Sequence, residues 1–186
     1  MAMSRQARNL LSSSNIWYLG EGMFGPLLAV FSERIGGDIL DISAAWATFL
    51  IISGIVSVIT GKLADKYDKR KIMVTGYWIN AIMTFCYIFV SSPEGLFLVQ
   101  AGLGIASALS TPTWDALLDE YTQDGKDNGT LWGFAEGIPD IVTGGAIIVG
   151  GALITYGSFT TLFVIMGCIQ TIAAANQSRI LYMKKA

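Results

Sequence analysis

Apolar residues run along this chain in six long stretches: Asn15–Phe31, Ala44–Thr60, Ile72–Val90, Leu96–Leu118, Leu131–Tyr156 and Phe159–Ala175. Polar residues gather between them. A helix needs about 20 mostly apolar residues to cross ~30 Å of hydrocarbon, so the pattern predicts six transmembrane helices. The connectors carry the punctuation: paired glycines in Arg34–Asp41, charges in Gly61–Lys71, Pro93 in Ser91–Gly95, acids in Tyr121–Gly129, and a bare Gly157–Ser158. A soluble bundle needs a polar face on every helix. Ile72–Val90 and Phe159–Ala175 contain no charged residue at all, which excludes that reading. The expected fold is an all-α integral membrane protein, a single six-helix domain over residues 1–186.

Composition agrees. Soluble domains carry about 25% charged residues; this chain has 14%, with 53% hydrophobic residues and no histidine. The net charge of −2 and the lack of a basic stripe exclude a nucleic-acid partner. Arg5 and Arg8 precede the first apolar stretch, but Glu21 lies within it and no small-residue cleavage site is evident, so an uncleaved first helix is expected rather than a signal peptide. Lysine and arginine placement sets the orientation. With the N-terminus in the cytoplasm, eleven basic residues fall inside and Arg34 alone falls outside. A multi-pass protein of the cell membrane with both termini cytoplasmic is therefore expected.

Ionisable groups at membrane depth are costly and face a cavity or the bundle interior. Here they are Glu21 in span 1, Asp115 in span 4, and Glu136 and Asp140 in span 5. Pro26, Pro112 and Pro139 fall in the same three spans, which should line something polar and bend, while spans 3 and 6 should face lipid. Glu136 and Asp140 are four apart and share a helix face, which Trp132 joins; Trp17 accompanies Glu21. Two carboxylates held close in a low-dielectric site cannot both ionise cheaply, and this is the physical starting point for proton coupling. Small residues are frequent in spans 1, 4 and 5, and Gly133-x-x-x-Gly137 is a candidate close-approach pair.

Enzyme signatures are missing: no histidine, no cysteine cluster, no phosphate-binding loop with its lysine. No catalytic residue, metal or cofactor is assigned. Cys86 and Cys168 sit in apolar runs without metal-ligand spacing and read as buried small hydrophobes. An acidic cavity without a buried base favours a small-molecule substrate that is a cation, or a proton.

The loop after span 2 reads Gly61-Lys62-Leu63-Ala64-Asp65-Lys66-Tyr67-Asp68-Lys69-Arg70-Lys71. It resembles the signature loop of the major facilitator superfamily, with Gly61, Leu63, Ala64, Asp65 and Arg70 matching directly and Asp68 replacing the usual second glycine. Gly102 and Gly104, Pro112, Asp115 to Asp119 and Gly133 resemble its span 4 to span 5 region. Gly150-Gly151, Gly157 and Phe163 resemble the end of its span 5. Two departures stand out: Leu98 takes the place of an arginine frequent in the family's proton antiporters, and Ala146-Ile147 replaces the glycine-proline frequent in its drug antiporters. The resemblance implies two inverted three-helix repeats, about 12–90 and 96–180, and transport by alternating access. It implies that Gly61, Asp65 and Arg70 form a gating loop, with Asp65 meeting the start of span 5 in a second copy, near Asn128–Thr130, and Arg70 pairing with the acidic loop Asp119–Asp127. Six spans where the family usually has twelve imply a half-size subunit in a parallel homodimer. The alternatives are a non-transporting scaffold or accessory subunit, or one half of a longer or heteromeric carrier.

Overall fold

The computed structural model describes residues 4–121 and 128–183. They form seven α-helices: α1 (Arg5–Gly22), α2 (Leu27–Arg34), α3 (Ile39–Ala64), α4 (Lys69–Cys86), α5 (Pro93–Glu120), α6 (Asn128–Tyr156) and α7 (Phe159–Ser178). Short 3-10 turns at Tyr87–Phe89 and Arg179–Tyr182 extend α4 and α7. The polar connectors start these helices. Ser4, Ser92 and Ser158 each accept a backbone N–H three residues on, and Asp38 and Asp41 form a reciprocal capping box.

Five helices are individually long and apolar enough to cross a membrane. The first crossing is instead made by α1 and α2 together. Gly22, Gly25 and Pro26 interrupt it, and Pro26 has no N–H to continue a helix. Tight turns fill the gap, with Met23 N–H donating to Gly20 O and Phe24 N–H to Glu21 O. Pro112 and Pro139 leave α5 and α6 unbroken. Of the three prolines expected to mark bending helices, Pro26 alone lies at a break, at the N-cap of α2.

Helix α5 packs along α3 and α4, α1 packs along α6 and α7, and α4 packs against α7. Exchanging the first three crossings for the last three turns α1–α6 into α5–α3 and α1–α7 into α5–α4, and leaves α4–α7 in place. Glycine sets the closest of these approaches on both sides. A Cβ on Gly22 would lie 3.0 Å from the backbone of Thr143 on α6, and one on Gly104 would lie 2.7 Å from the carbonyl oxygen of Phe49 on α3. Gly133 and Gly137 face open space and hold no such contact.

Two apolar clusters secure the ends of the bundle. Phe24, Phe31, Tyr87, Phe159 and Phe163 interlock ring to ring around the α2 end, with centroid separations of 4.9 to 6.3 Å. Leu10, Met73, Leu118, Leu131, Ala173 and Ile180 fill the other end.

Helices α4 and α7 each bury one face in the bundle and expose the other, through Trp78 and Ile82 on α4 and Val164 and Ile172 on α7, whereas α3 buries only Ala45 and Thr60 and exposes Leu50, Ile51, Ile55, Val58 and Ile59. Helix α6 likewise exposes Phe134, Ile141, Ile148 and Val149. A charge-free helix needs apolar surroundings, and neighbouring helices supply them as well as lipid does. The cysteines are free, but Cys168 is exposed on α7 and Cys86 half-buried, so the buried reading fails for Cys168.

Candidate functional site

Each inner helix contributes a stripe at helical spacing to one cavity of about 450 Å³. On α1 the stripe is Ser14, Trp17, Tyr18 and Glu21; on α5 it is Leu103, Ser107, Ser110, Thr111 and Trp114, with Asp115 beside them; on α6 it is Ala135, Glu136, Pro139 and Asp140. Phe49 of α3 and Tyr77 and Asn80 of α4 complete the wall. Residues three, four and seven apart lie on one face of a helix, so a single polar and aromatic stripe per helix suffices.

Glu21 is the best-anchored acid. It stands at the end of α1, just before the break, so its main chain is fixed by the turn and its side chain points across the bundle. Its Oε1 accepts from Asn80 Nδ2 at 2.9 Å and from Gln170 Nε2 at 3.2 Å. Gln170 Nε2 also donates to the Trp17 carbonyl at 3.0 Å, tying α7 to α1. Both carboxamides are almost fully buried, at 2% and 1% exposure. Such groups must find partners inside the protein. Asn80 stands as many residues from the start of α4 at Lys69 as Gln170 does from the start of α7 at Phe159. The two charge-free helices therefore place equivalent positions on one carboxylate.

The other acids are wetter. Asp115 is half-buried on α5, while Glu136 and Asp140 are exposed on α6. Trp17 meets Tyr77 edge to face at 4.4 Å between ring centroids, and Trp114 Nε1 donates to the Leu10 carbonyl at 3.4 Å. Of the residues expected in the cavity, Glu21, Asp115, Glu136, Asp140 and Trp17 line it. Trp132 does not; it packs against the end cluster that holds Leu131 and Ala135. Trp132 stands one turn, about 6 Å, nearer the start of α6 than Glu136, beyond the end of the cavity and level with that cluster. Asn80 and Gln170 escape a reading of the sequence that looks for charge; the signal available was an amide inside a span with no charge to explain it.

The signature loop holds a clasp within its own residues. Asp68 caps α4 and binds Arg70 twice, with Arg70 Nη2 to Asp68 Oδ2 at 2.8 Å. The buried Arg70 guanidinium also donates to the carbonyls of Met183, at 3.1 Å, and Ile180. Lys69, not Arg70, pairs with Glu120 in the acidic stretch. A carboxylate two residues away reaches the guanidinium with little loss of freedom, which favours the local pair. Asp65 is exposed at the C-cap of α3, and Gly61 is exposed on its last turn. Residues 122–127, most of the expected partner loop for Arg70, lie outside the described residues, as does the side chain of Asn128.

The family model for the Major Facilitator Superfamily matches residues 10–184. An uncharacterized MFS-type transporter of Methanocaldococcus jannaschii is 31% identical over 94 residues, covering 50% of this chain and 24% of that protein. Multidrug resistance protein MdtG of Salmonella typhimurium is 24% identical over 146 residues, 75% of this chain and 36% of its own length. The protein of the same name from Erwinia billingiae is 21% identical over 169 residues, 89% and 41% respectively. The chain thus spans from about a quarter to two fifths of the length of these relatives.

Proposed function

The chain belongs to the major facilitator superfamily, a family of multi-pass membrane transporters, and we propose that it works as a half-size subunit of a secondary active transporter. Two copies would lie parallel in the cell membrane, with both termini cytoplasmic and the substrate path between them. Access alternates by rocking of one subunit against the other, and the cavity acids couple the movement to protons. The cargo is a small molecule, with a cation favoured.

One observation carries this reading. The cavity that collects Glu21, Asp115, Glu136 and Asp140 opens between α1, α5 and α6, and two of those acids are exposed on the little-buried helix α6. Leaving carboxylates against lipid is costly. A second six-helix unit facing that surface would cover them and close a path around the cavity. Asp65 and Arg70 at the membrane edge then serve as the gate between the two units.

A second reading is favoured by the length of the relatives: the facing unit is a non-identical half, supplied by a longer chain or a separate one. Reconstitution of the purified chain alone into proteoliposomes with an imposed pH gradient separates the two. Solute uptake by the chain alone, lost in Glu136→Gln and Asp140→Asn while the folded yield is kept, is the expected result. No uptake by a well-folded chain, restored on adding a partner half, replaces the homodimer with the second reading. No uptake under either condition leaves a scaffold or accessory subunit.

A further inference from the structure

A second cavity, of about 320 Å³, opens at the α2 end of the bundle and shares no residue with the first. The end of α2, the turn after α4 and the start of α7 form its wall, and no described residue of α3, α5 or α6 lines it. Its floor is apolar. Phe31, Tyr87 and Phe163 belong to the interlocked ring cluster, and Ile88 packs against them. Buried rings that hold one another in place make a preformed recess. Its rim is polar: Arg34, Ser91 and Thr160 are exposed there and Ser158 is half-buried. No aspartate or glutamate among the described residues lines it.

Arg34 is held by a ring rather than by an acid. Its guanidinium carbon lies 5.6 Å from the centre of the Phe159 ring. The ion pairs among the described residues are Lys69–Glu120 and Arg70–Asp68, so no carboxylate claims it. A ring occupies the face of a guanidinium and leaves its N–H edge free. That edge matches the oxygens of a phosphate two at a time.

Location decides which phosphate. The ends of spanning helices lie at the level of the lipid headgroups, and Tyr156, exposed at the end of α6, is a residue type enriched at that level. A free inorganic anion would use the rim and leave the apolar floor empty. A phospholipid uses both.

We propose that this cavity holds one phospholipid of the adjoining leaflet, the outer leaflet in the orientation proposed for the chain. Its phosphate sits on the Arg34 edge, and part of one acyl chain lies over Phe31, Tyr87 and Ile88. The lipid joins the ends of α2, α4 and α7, and its binding does not depend on the transport reading.

Native mass spectrometry of the purified chain in mild detergent tests this. Adducts are counted with phosphatidylcholine, with diacylglycerol of the same chains, and with inorganic phosphate. One tightly held phosphatidylcholine per chain is expected, with diacylglycerol about tenfold weaker, as for loss of a charge-assisted bond. Arg34→Gln should weaken the phospholipid about tenfold, to the diacylglycerol level. Thr160→Trp, also at an exposed rim position, should weaken it by filling the mouth. Both positions are exposed, so both variants should fold. Lys66→Gln, exposed at the other end of the bundle, is the control and should change nothing. Diacylglycerol bound as well as phosphatidylcholine, an adduct that survives either rim variant, or one that Lys66→Gln weakens equally overturns the proposal. Inorganic phosphate held as tightly as the lipid makes this a free-anion site and overturns it as well.

Discussion

The Glu21–Gln170 contact lends itself to a double-mutant cycle. Gln170→Met keeps an unbranched side chain of similar size in the α7 core and removes two donations, one to Glu21 and one to the Trp17 carbonyl. Interhelical hydrogen bonds in membranes are worth about 0.6 kcal/mol on average and up to about 1.7. The bond to Glu21 belongs toward the upper end, because Gln170 is almost fully buried and no water competes for its donor. The single variant should therefore lose about 2 to 3 kcal/mol: one strong bond, one ordinary bond, and some unmet demand at Glu21. Glu21→Met removes the acceptor and leaves Asn80 and Gln170 each short of a partner. The double variant should then recover about 1.5 kcal/mol relative to the sum of the singles. Equilibrium unfolding of the four proteins in lipid, driven by a denaturing detergent, measures this directly. Additivity within about 0.5 kcal/mol would refute the contact as an energetic unit and with it the claim that α4 and α7 position the cavity's central acid.

Three further outcomes are expected from the packing and the loop. Gly104→Leu should cost about 1 to 3 kcal/mol by forcing α5 off α3, whereas Gly137→Ala should leave the single-chain fold unharmed; denaturation of the two variants side by side checks both. Arg70→Ala should free the segment around Ile180–Met183, seen as faster hydrogen exchange or proteolysis there, while Arg70→Lys rescues only partly because a lysine cannot hold Asp68 and two carbonyls in one planar fork. Asp65→Asn should shift the transporter toward its inward-open state and slow uptake with little loss of expression, and cross-links from residue 65 to residues 128–130 should join two protomers; efficient cross-linking within one protomer would count against the gate.

Much was legible from residue types alone. Six apolar stretches at spanning length, the basic loop Gly61–Lys71 and the intramembrane acids led to a membrane bundle of this family, because lipid punishes unpaired polar groups wherever they fall along the chain. The acids also marked the cavity, since Glu21, Asp115, Glu136 and Asp140 all line it. Other features required the helices to be assembled. An apolar helix looks the same to hydrocarbon and to its neighbours, so only packing showed which face of α4 and α7 turns inward and that α3 and α6 are left more open. Trp132 shares a nominal face with Glu136, yet its height on α6 sends it to a core. Asn80 and Gln170 lie 90 positions apart in sequence and meet on one carboxylate because α4 and α7 cross beside the end of α1. Hydrophobicity along a chain reports the solvent each residue prefers, whereas a site built from three helices depends on their relative rotation and depth, which are settled by close packing such as Gly22 against Thr143 and Gly104 against Phe49.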